Sequence, residues 1–506
     1  MSGTSRAHDW PHERAETIVE LAAAPLDLLI IGGGIVGAGI ARDAAMRGLR
    51  TGLVERHDFA YGTSSRSSRL LHGGLRYLAQ GRIGLVREAS IEKRIVHDIA
   101  PHISAPLAFV FPTYRASPWA PWAHWKLAIG VRIYDWLCGG RNFGPSTSMR
   151  PEEVLEKLPG LRPEGLTGAV RYFDGFTSDA RLVIDTLRSA ARAGGLLVNH
   201  CRLEDARLAR DHWVCAIRDV LTDRQHEVAA RAVVNATGPW SEGLCGSSIR
   251  LRLTKGVHLV IDRQRLPVPE AVVMTEDRRI LFAIPWGQRV ILGTTDTDYS
   301  GACEDVRVDP EDVRYILEIV NHAFPHAALS TQDVISTWAG LRPLIADPKG
   351  RPSDISRSHE IVTTRPGWWD VAGGKLTTYR LMAEQTIDRV EAYLERPRTE
   401  CRTALEPLLP RQEVIGSGLL PPDPAPDVVA HYCQREWAVH LDDVMVRRAG
   451  WHYYCHDVEQ IAANVCAWMG EGLGWDAARR EMEMERYAAV VQADRAVTAG
   501  TARTEA

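Results

Sequence analysis

The sequence predicts a mixed α/β protein, α+β overall, that opens on a Rossmann-like nucleotide-binding domain. Three observations carry this. A buried-strand signal, Leu28–Ile31, runs into a glycine-rich turn and then a stretch of small residues. Apolar runs with hairpin signals dominate 250–300. From 425 to the end the pattern is helical, closing in a polar tail.

Composition narrows the class. With 506 residues the chain suits two or three domains. At 45% hydrophobic and 25% charged it is neither a disordered nor a membrane-embedded chain. No apolar run reaches the roughly 18 to 20 residues of a membrane span. The formal net charge of −4 gives no global field for nucleic acid, so an anionic substrate needs a local cluster of cations. Nine widely spaced cysteines without a CxxC pair argue against zinc and dithiol chemistry, so no metal is expected. The polar N-terminus lacks the apolar core of a secretion signal, and a cytoplasmic location is expected.

In order along the chain, residues 1–24 read as a flexible extension. Leu28–Ile31 reads as a strand, Ile35–Gly48 as a helix and Thr51–Glu55 as a second strand, together one βαβ unit. A Pro- and Trp-rich stretch lies between about 105 and 140. Ile280–Ile284 and Arg289–Leu292 flank a Pro-Trp-Gly turn, and a helix is expected over 310–323. A Pro-rich passage over 396–424 reads as a linker.

Gly32, Gly34 and Gly37 form GxGxxG inside Gly32-Gly33-Gly34-Ile35-Val36-Gly37. The first glycine permits the tight turn, the second lets backbone approach a pyrophosphate, and the third lets helix and strand pack closely. Glu55, closing the next strand, stands where an acid bonds a ribose hydroxyl. The preceding strand and following small-residue helix raise this above a bare glycine cluster. Gly62-Thr63-Ser64-Ser65-Arg66-Ser67-Ser68 follows, either lining a dinucleotide or forming a solvated loop. Val233-Val234-Asn235-Ala236-Thr237-Gly238-Pro239-Trp240 reads as a strand entering a turn that returns to the same site. Gly373-Gly374-Lys375 is not a Walker motif, because Trp369 and Leu376 replace the required glycine and Ser/Thr.

Six segments carry a family likeness: GTSSRSSRLLHGGLRYL at 62–78, VVNATGPW at 233–240, KGVHLVI at 255–261, IPWGQRVILGTTDTDY at 284–299, AGLRPL at 339–344 and GGKLTTYR at 373–380. In order and spacing, from about 26 to 395, the chain resembles the FAD-dependent respiratory, aerobic glycerol-3-phosphate dehydrogenases, within the glycine-oxidase-like and D-amino-acid-oxidase-like flavoproteins. Beyond 395 the likeness fades. The resemblance implies a discontinuous FAD-binding domain (25–98, 175–245 and 336–395), an antiparallel β-sheet substrate domain (99–174 and 246–335), and a helical C-terminal domain with a polar tail (425–506). It implies non-covalent FAD, oxidation of sn-glycerol 3-phosphate to dihydroxyacetone phosphate by hydride transfer to flavin, and electrons passed to a membrane quinone. The protein would then sit peripherally on the inner face of the cell membrane, and a homodimer stands open. A peroxide-forming glycerol-3-phosphate oxidase, a related amino-acid or amine oxidase, and a flavin-binding sensor are the competing readings.

By the same resemblance, Gly32, Gly33, Gly34, Gly37, Glu55, Thr63, Ser64, Ser65, Gly73, Gly74, Gly238 and Gly374 hold the cofactor. His258, Arg342 and Lys375 form the catalytic set. Arg76, Tyr77, Asp296, Arg342, Lys375 and Tyr379 meet substrate. Arginine suits a phosphate through its planar fork of donors. His258 lies in an apolar strand and reads either as a packed core histidine or as the base. Thr294, Thr295 and Asp296 either position substrate or close a hairpin, and Arg380 reads as structural. The stretch 118–137, with Trp119, Trp122, Trp125 and Trp136 beside Lys126 and Arg132, reads as a packed amphipathic helix or a bilayer contact.

Overall fold

Two sheets meet along a seam. The computed structural model describes residues 10–74, 82–115, 123–276, 279–345 and 359–502; Arg76, Tyr77, Trp119 and Trp122 lie outside them. The first sheet runs in the order His359–Arg365, Trp368–Gly373, Gln225–Asn235, Leu26–Ile31, Thr51–Val54, Leu196–Val198. Its centre is parallel, with Ile31 beside Asn235 and beside Val54. The near-continuous apolar strand LDLLII is buried on both faces, as a parallel central strand requires. Helices Ile35–Met46, Asp179–Arg192 and Tyr379–Tyr393 cover one face.

The other face corrects the first expectation. Trp10–Ala23 is a helix, not a loose extension. Ile18 and Leu21 fall on one helical face and bury against Leu26, Leu29, Val198 and Trp213. Arg14 donates to the carbonyls of Asn199 and His200 and to Asp219 Oδ1. The charged outer face of this helix is what makes the segment read as solvated.

Among the described residues the second sheet has ten strands. Towards one edge Leu251–Asp262 pairs antiparallel with Arg289–Gly293 and along its length with Val334–Ile345. Leu70–Leu71 joins its far edge, beside Leu166–Thr177. The expected boundaries at 336 and 98 therefore shift: Val334–Ile345 and Leu70–Leu71 belong to the substrate sheet. Helix Pro310–Ala323 packs on this sheet through Val313, Ile316 and Val320.

Residues 396–424 are not a free linker. Arg42, buried in the first domain, donates to the carbonyls of Thr403 and Glu406, and Leu408 and Leu409 bury in that domain's core. Beyond them stand helices Pro426–Arg435, Val458–Leu473 and Ala477–Ala502 around their own core. The expected polar tail is helical through Ala502.

A dinucleotide cavity at the seam between two sheets

The strands Leu26–Ile31, Gln225–Asn235 and Trp368–Gly373 are parallel neighbours, so their C-terminal ends converge. Ligands of open α/β sheets bind outside such ends. A cavity of about 980 Å³ opens there, at the top of the range of small-molecule sites, about 300–1,000 Å³. Its wall runs from Glu55, Arg56 and Trp240, past Gly32, Gly34 and Ser64, to His258, Arg342 and Lys375.

The glycine turn has the shape a dinucleotide needs. Gly32 takes φ +108°, and a Cβ there would stand 2.7 Å from the Ala236 carbonyl oxygen. The turn of 236–238 thus presses against the glycine turn, as the sequence suggests, and Ala236 N–H donates to Ile31 O at 2.9 Å. A Cβ on Gly37 would collide with the Gly32 carbonyl, so the third glycine lets helix Ile35–Met46 start hard against the strand. The Ile35 N–H donates to Ser64 Oγ, which ties the hydroxyl-rich loop to the helix start. Glu55 accepts the Gly33 N–H at 2.7 Å on one oxygen and the His57 N–H at 2.8 Å on the other. Burial raises its carboxyl pKa, and the two N–H bonds oppose that. Each oxygen keeps a second lone pair for a ribose hydroxyl. These residues fit FAD: the helix start would hold its diphosphate and Glu55 would accept from its ribose.

Thr63, Gly74, Gly238 and Gly374 also line the cavity. Gly33 contributes through its bond to Glu55, and Gly37 through packing. Ser65 and Gly73 stand behind the wall. Ser65 is buried, and the Gly73 N–H donates to the Tyr134 hydroxyl at 3.0 Å. Tyr379 departs further from its expected role. It is buried beneath the first sheet against Gly39, with its hydroxyl 3.4 Å from Thr186 Oγ1. It begins a helix whose inner face packs the domain core. Arg380 is structural, as expected: it is paired with Glu92 and Glu384.

At the substrate end, glycines in the sheet make room for the functional side chains. A Cβ on Gly293 would strike the His258 ring, and one on Gly256 would strike the Arg342 guanidinium. Arg342 donates to Thr294 Oγ1 at 3.0 Å, Thr295 O at 3.2 Å and Asp296 Oδ1 at 3.1 Å. Thr294 and Asp296 line the same cavity, so they hold the arginine fork as well as closing the hairpin. Lys375 lines the wall at the turn between Gly374 and helix Tyr379–Tyr393.

His258 is 2% exposed. Its Nε2 is 2.8 Å from Ser68 Oγ, its ring stacks on Trp338 at 5.2 Å, and its Nδ1 is buried with no hydrogen-bond partner among the described residues. Burial first, then the charges of Arg342 and Arg69, hold its pKa well below the usual histidine value. The imidazole is therefore neutral near pH 7. Ser68 itself lines the cavity. The sequence reading names Ser68 and Arg66 only within the 62–68 segment, with no role of their own; both line the wall. It also missed the aromatic wall of Phe109, Phe111, Tyr172 and Phe282. Alternation at Phe109 and Phe111 was the available signal for that wall, since residues two apart on a strand share a face.

Among the described residues, Asp58, His200 and Asp443 bring metal-ligand types of side chain together. Asp58 already accepts Arg447, both Arg448 amines and Asn199, so guanidinium groups take the place of an ion.

Residues 27–389 match the FAD dependent oxidoreductase family. The aerobic glycerol-3-phosphate dehydrogenase of Bacillus subtilis (strain 168) is 39% identical over 407 residues, 78% of this chain and 73% of the relative. The chain belongs to the aerobic glycerol-3-phosphate dehydrogenases, a family of FAD-dependent oxidoreductases. The Staphylococcus aureus (strain USA300) enzyme of the same name is 40% identical over 379 residues, 73% of this chain and 68% of the relative. The solved glycerol-3-phosphate dehydrogenase of Bacillus halodurans, complexed with FAD, is 30% identical with a TM-score of 0.77. It covers 97% of this chain and 98% of its own. That coverage takes in the helical C-terminal region, where likeness in sequence fades.

Proposed function

We propose that the protein oxidises sn-glycerol 3-phosphate at C2 to dihydroxyacetone phosphate on non-covalently bound FAD, and passes the electrons to a quinone in the inner face of the cell membrane. The observation that carries this reading is a neutral buried histidine and two cations on one wall, continuous with a dinucleotide turn. Arg342 and Lys375 take the phosphate, one as a fork and one as a point charge. FAD, when bound, supplies the two-electron acceptor. The C2 hydroxyl must lose its proton as the carbonyl forms, and a neutral imidazole is suited to take it. His258 Nδ1 is shut off from solvent and Nε2 faces Ser68. The proton therefore reaches Nε2 through Ser68 Oγ, which takes the substrate proton as it gives up its own. The aromatic wall of Phe109, Phe111 and Tyr172 excludes water from the reacting carbon.

The test uses the acceptor. With glycerol 3-phosphate as donor, a short-chain quinone should be reduced much faster than oxygen is consumed. Dominant oxygen uptake with peroxide formation would support the oxidase reading. Turnover of an amino acid, with none on glycerol 3-phosphate, would reject both.

A further inference from the structure

We infer that Tyr453, from the C-terminal helices, is a positioning residue for the base: it fixes Trp338, and Trp338 fixes both His258 and the loop that carries Ser68. The inference rests on the catalytic reading of His258 above. Strand pairing brings the two regions to one point. His258, Leu259 and Val260 lie opposite Trp338, Thr337 and Ser336 in the antiparallel register. Each of those three partners is also held from the C-terminal side. Ser336 Oγ donates to the Tyr453 carbonyl at 2.9 Å. Thr337 Oγ1 donates to Asp494 Oδ1 at 3.2 Å. The Trp338 ring meets the Tyr453 ring edge-on at 5.1 Å. The same indole stacks on His258 at 5.2 Å, 19° from parallel. Its Nε1 donates to the Ser67 carbonyl at 3.3 Å, one residue before Ser68. One indole thus touches both halves of the Ser68–His258 pair.

The C-terminal anchors are themselves fixed. Tyr453 sits on the short helix Trp451–Tyr454, is 6% exposed, and buries in one apolar cluster with Trp338. Its neighbour His452 bonds the Tyr487 hydroxyl through Nδ1 at 3.0 Å and Asp494 through Nε2 at 3.1 Å. Tyr487 and Asp494 both belong to helix Ala477–Ala502. The long helix therefore holds the short one, and the short one holds the indole. Removing the Tyr453 ring leaves a space into which Trp338 can turn, because a packed surround relaxes towards a cavity. The stack on His258 then loosens, and a hydrogen bond such as that to Ser68 weakens steeply once its geometry is lost. The charged groups that bear on His258 are Arg342 and Arg69, whose guanidinium stands 5.4 Å from the Trp338 ring. Neither is altered by a change at Tyr453, so a shifted pH profile would report the burial of the imidazole itself.

The test is anaerobic reduction of the FAD-loaded protein by glycerol 3-phosphate, read per bound flavin across substrate concentration and pH. Tyr453→Leu should slow the limiting rate roughly tenfold, within the hundredfold that about 1 Å of misplacement can cost. The half-saturating substrate concentration should stay near native, since Arg342 and Lys375 are untouched. The fall in rate at low pH should move up towards about 6.5, as water reaches the imidazole. Tyr453→Phe keeps the ring and should match the native protein in rate and profile. Asp494→Ala releases Thr337 with no loss of apolar packing and should give the same upward shift at smaller amplitude. If Tyr453→Leu yields no FAD-loaded protein, Asp494→Ala decides alone. A native limiting rate and pH profile in these variants, even with a lower melting temperature, would overturn the inference. So would a raised half-saturating concentration with the limiting rate unchanged. A native rate in His258→Ala would instead overturn the catalytic reading beneath it; a slow His258→Ala beside a native Tyr453→Leu overturns the inference alone.

Discussion

The imidazole of His258 is kept neutral by its place in the sheet: it is buried between Trp338 and the bare backbone of Gly293, with two guanidinium groups nearby. A base works in its deprotonated form. Because the folded pKa lies below about 6.5, flavin reduction at saturating substrate should stay level as pH falls through that value and drop only further down. His258→Ala should slow reduction by about 10²- to 10⁴-fold, the usual worth of a general base, with FAD content unchanged. Anaerobic rapid mixing across pH reads both, and an alanine variant with native rate and profile would make His258 a core residue. Ser68→Ala should slow the same step while Ser68→Thr, which keeps the hydroxyl, retains most of the rate. Equal rates in both variants would remove Ser68 from the proton path. Arg342→Lys should lose part of a charge-assisted contact worth about 1.5 to 3 kcal/mol, roughly 10- to 150-fold in kcat/KM for full removal. The loss should be smaller for glycerol than for glycerol 3-phosphate; an equal loss for both would make Arg342 a structural residue. At this scale the glycine turn and Glu55 were legible because their spacing is local. The Ser68–His258 bond was not, since it joins residues 190 apart. Tyr379 was misplaced because a motif tells which residues travel together, not which face of the helix start they occupy.

Among the elements, the loop after Glu55 ties the flavin site to the C-terminal helices. Asp58 accepts Arg448 through two amines at 2.7 Å each and Arg447 through Nε, while Phe59 packs edge-on to Trp437. Residues 55–57 and 61–64 of this loop line the cavity. The buried ion pairs therefore hold this cavity-lining loop from behind. Arg448→Met leaves Asp58 buried with one guanidinium fewer, a loss of about 3 to 5 kcal/mol when a buried pair is broken. FAD should dissociate faster from this variant, read by recovery of free-flavin fluorescence, and the melting temperature should fall. Unchanged FAD release alongside a lower melting temperature would confine these arginines to a structural role. The hairpins and helix 310–323 were legible from apolar periodicity and a Pro at the helix start. Helix Trp10–Ala23 and the packed segment 396–424 were not, because each buries only a few apolar residues among many polar ones.

For the molecule as a whole, two sheets with separate cores place their functional ends on one cavity. The parallel sheet brings the glycine turn, the turn of 236–238 and Gly374. The antiparallel sheet brings His258 and Arg342. The fold class followed from the βαβ unit and the hairpin region. The domain boundaries did not, because Val334–Ile345 is joined in sequence to one domain and hydrogen-bonded into the other. No helix among the described residues is long and apolar enough to cross a membrane. The central claim is oxidation at C2 of glycerol 3-phosphate in this cavity. Its most direct test is a single anaerobic turnover of the FAD-loaded protein, with ordinary substrate and with substrate deuterated at C2. The account predicts loss of the flavin absorbance, one dihydroxyacetone phosphate per flavin, and a slower bleach with the deuterated substrate. Flavin that stays oxidised in the presence of glycerol 3-phosphate would contradict it.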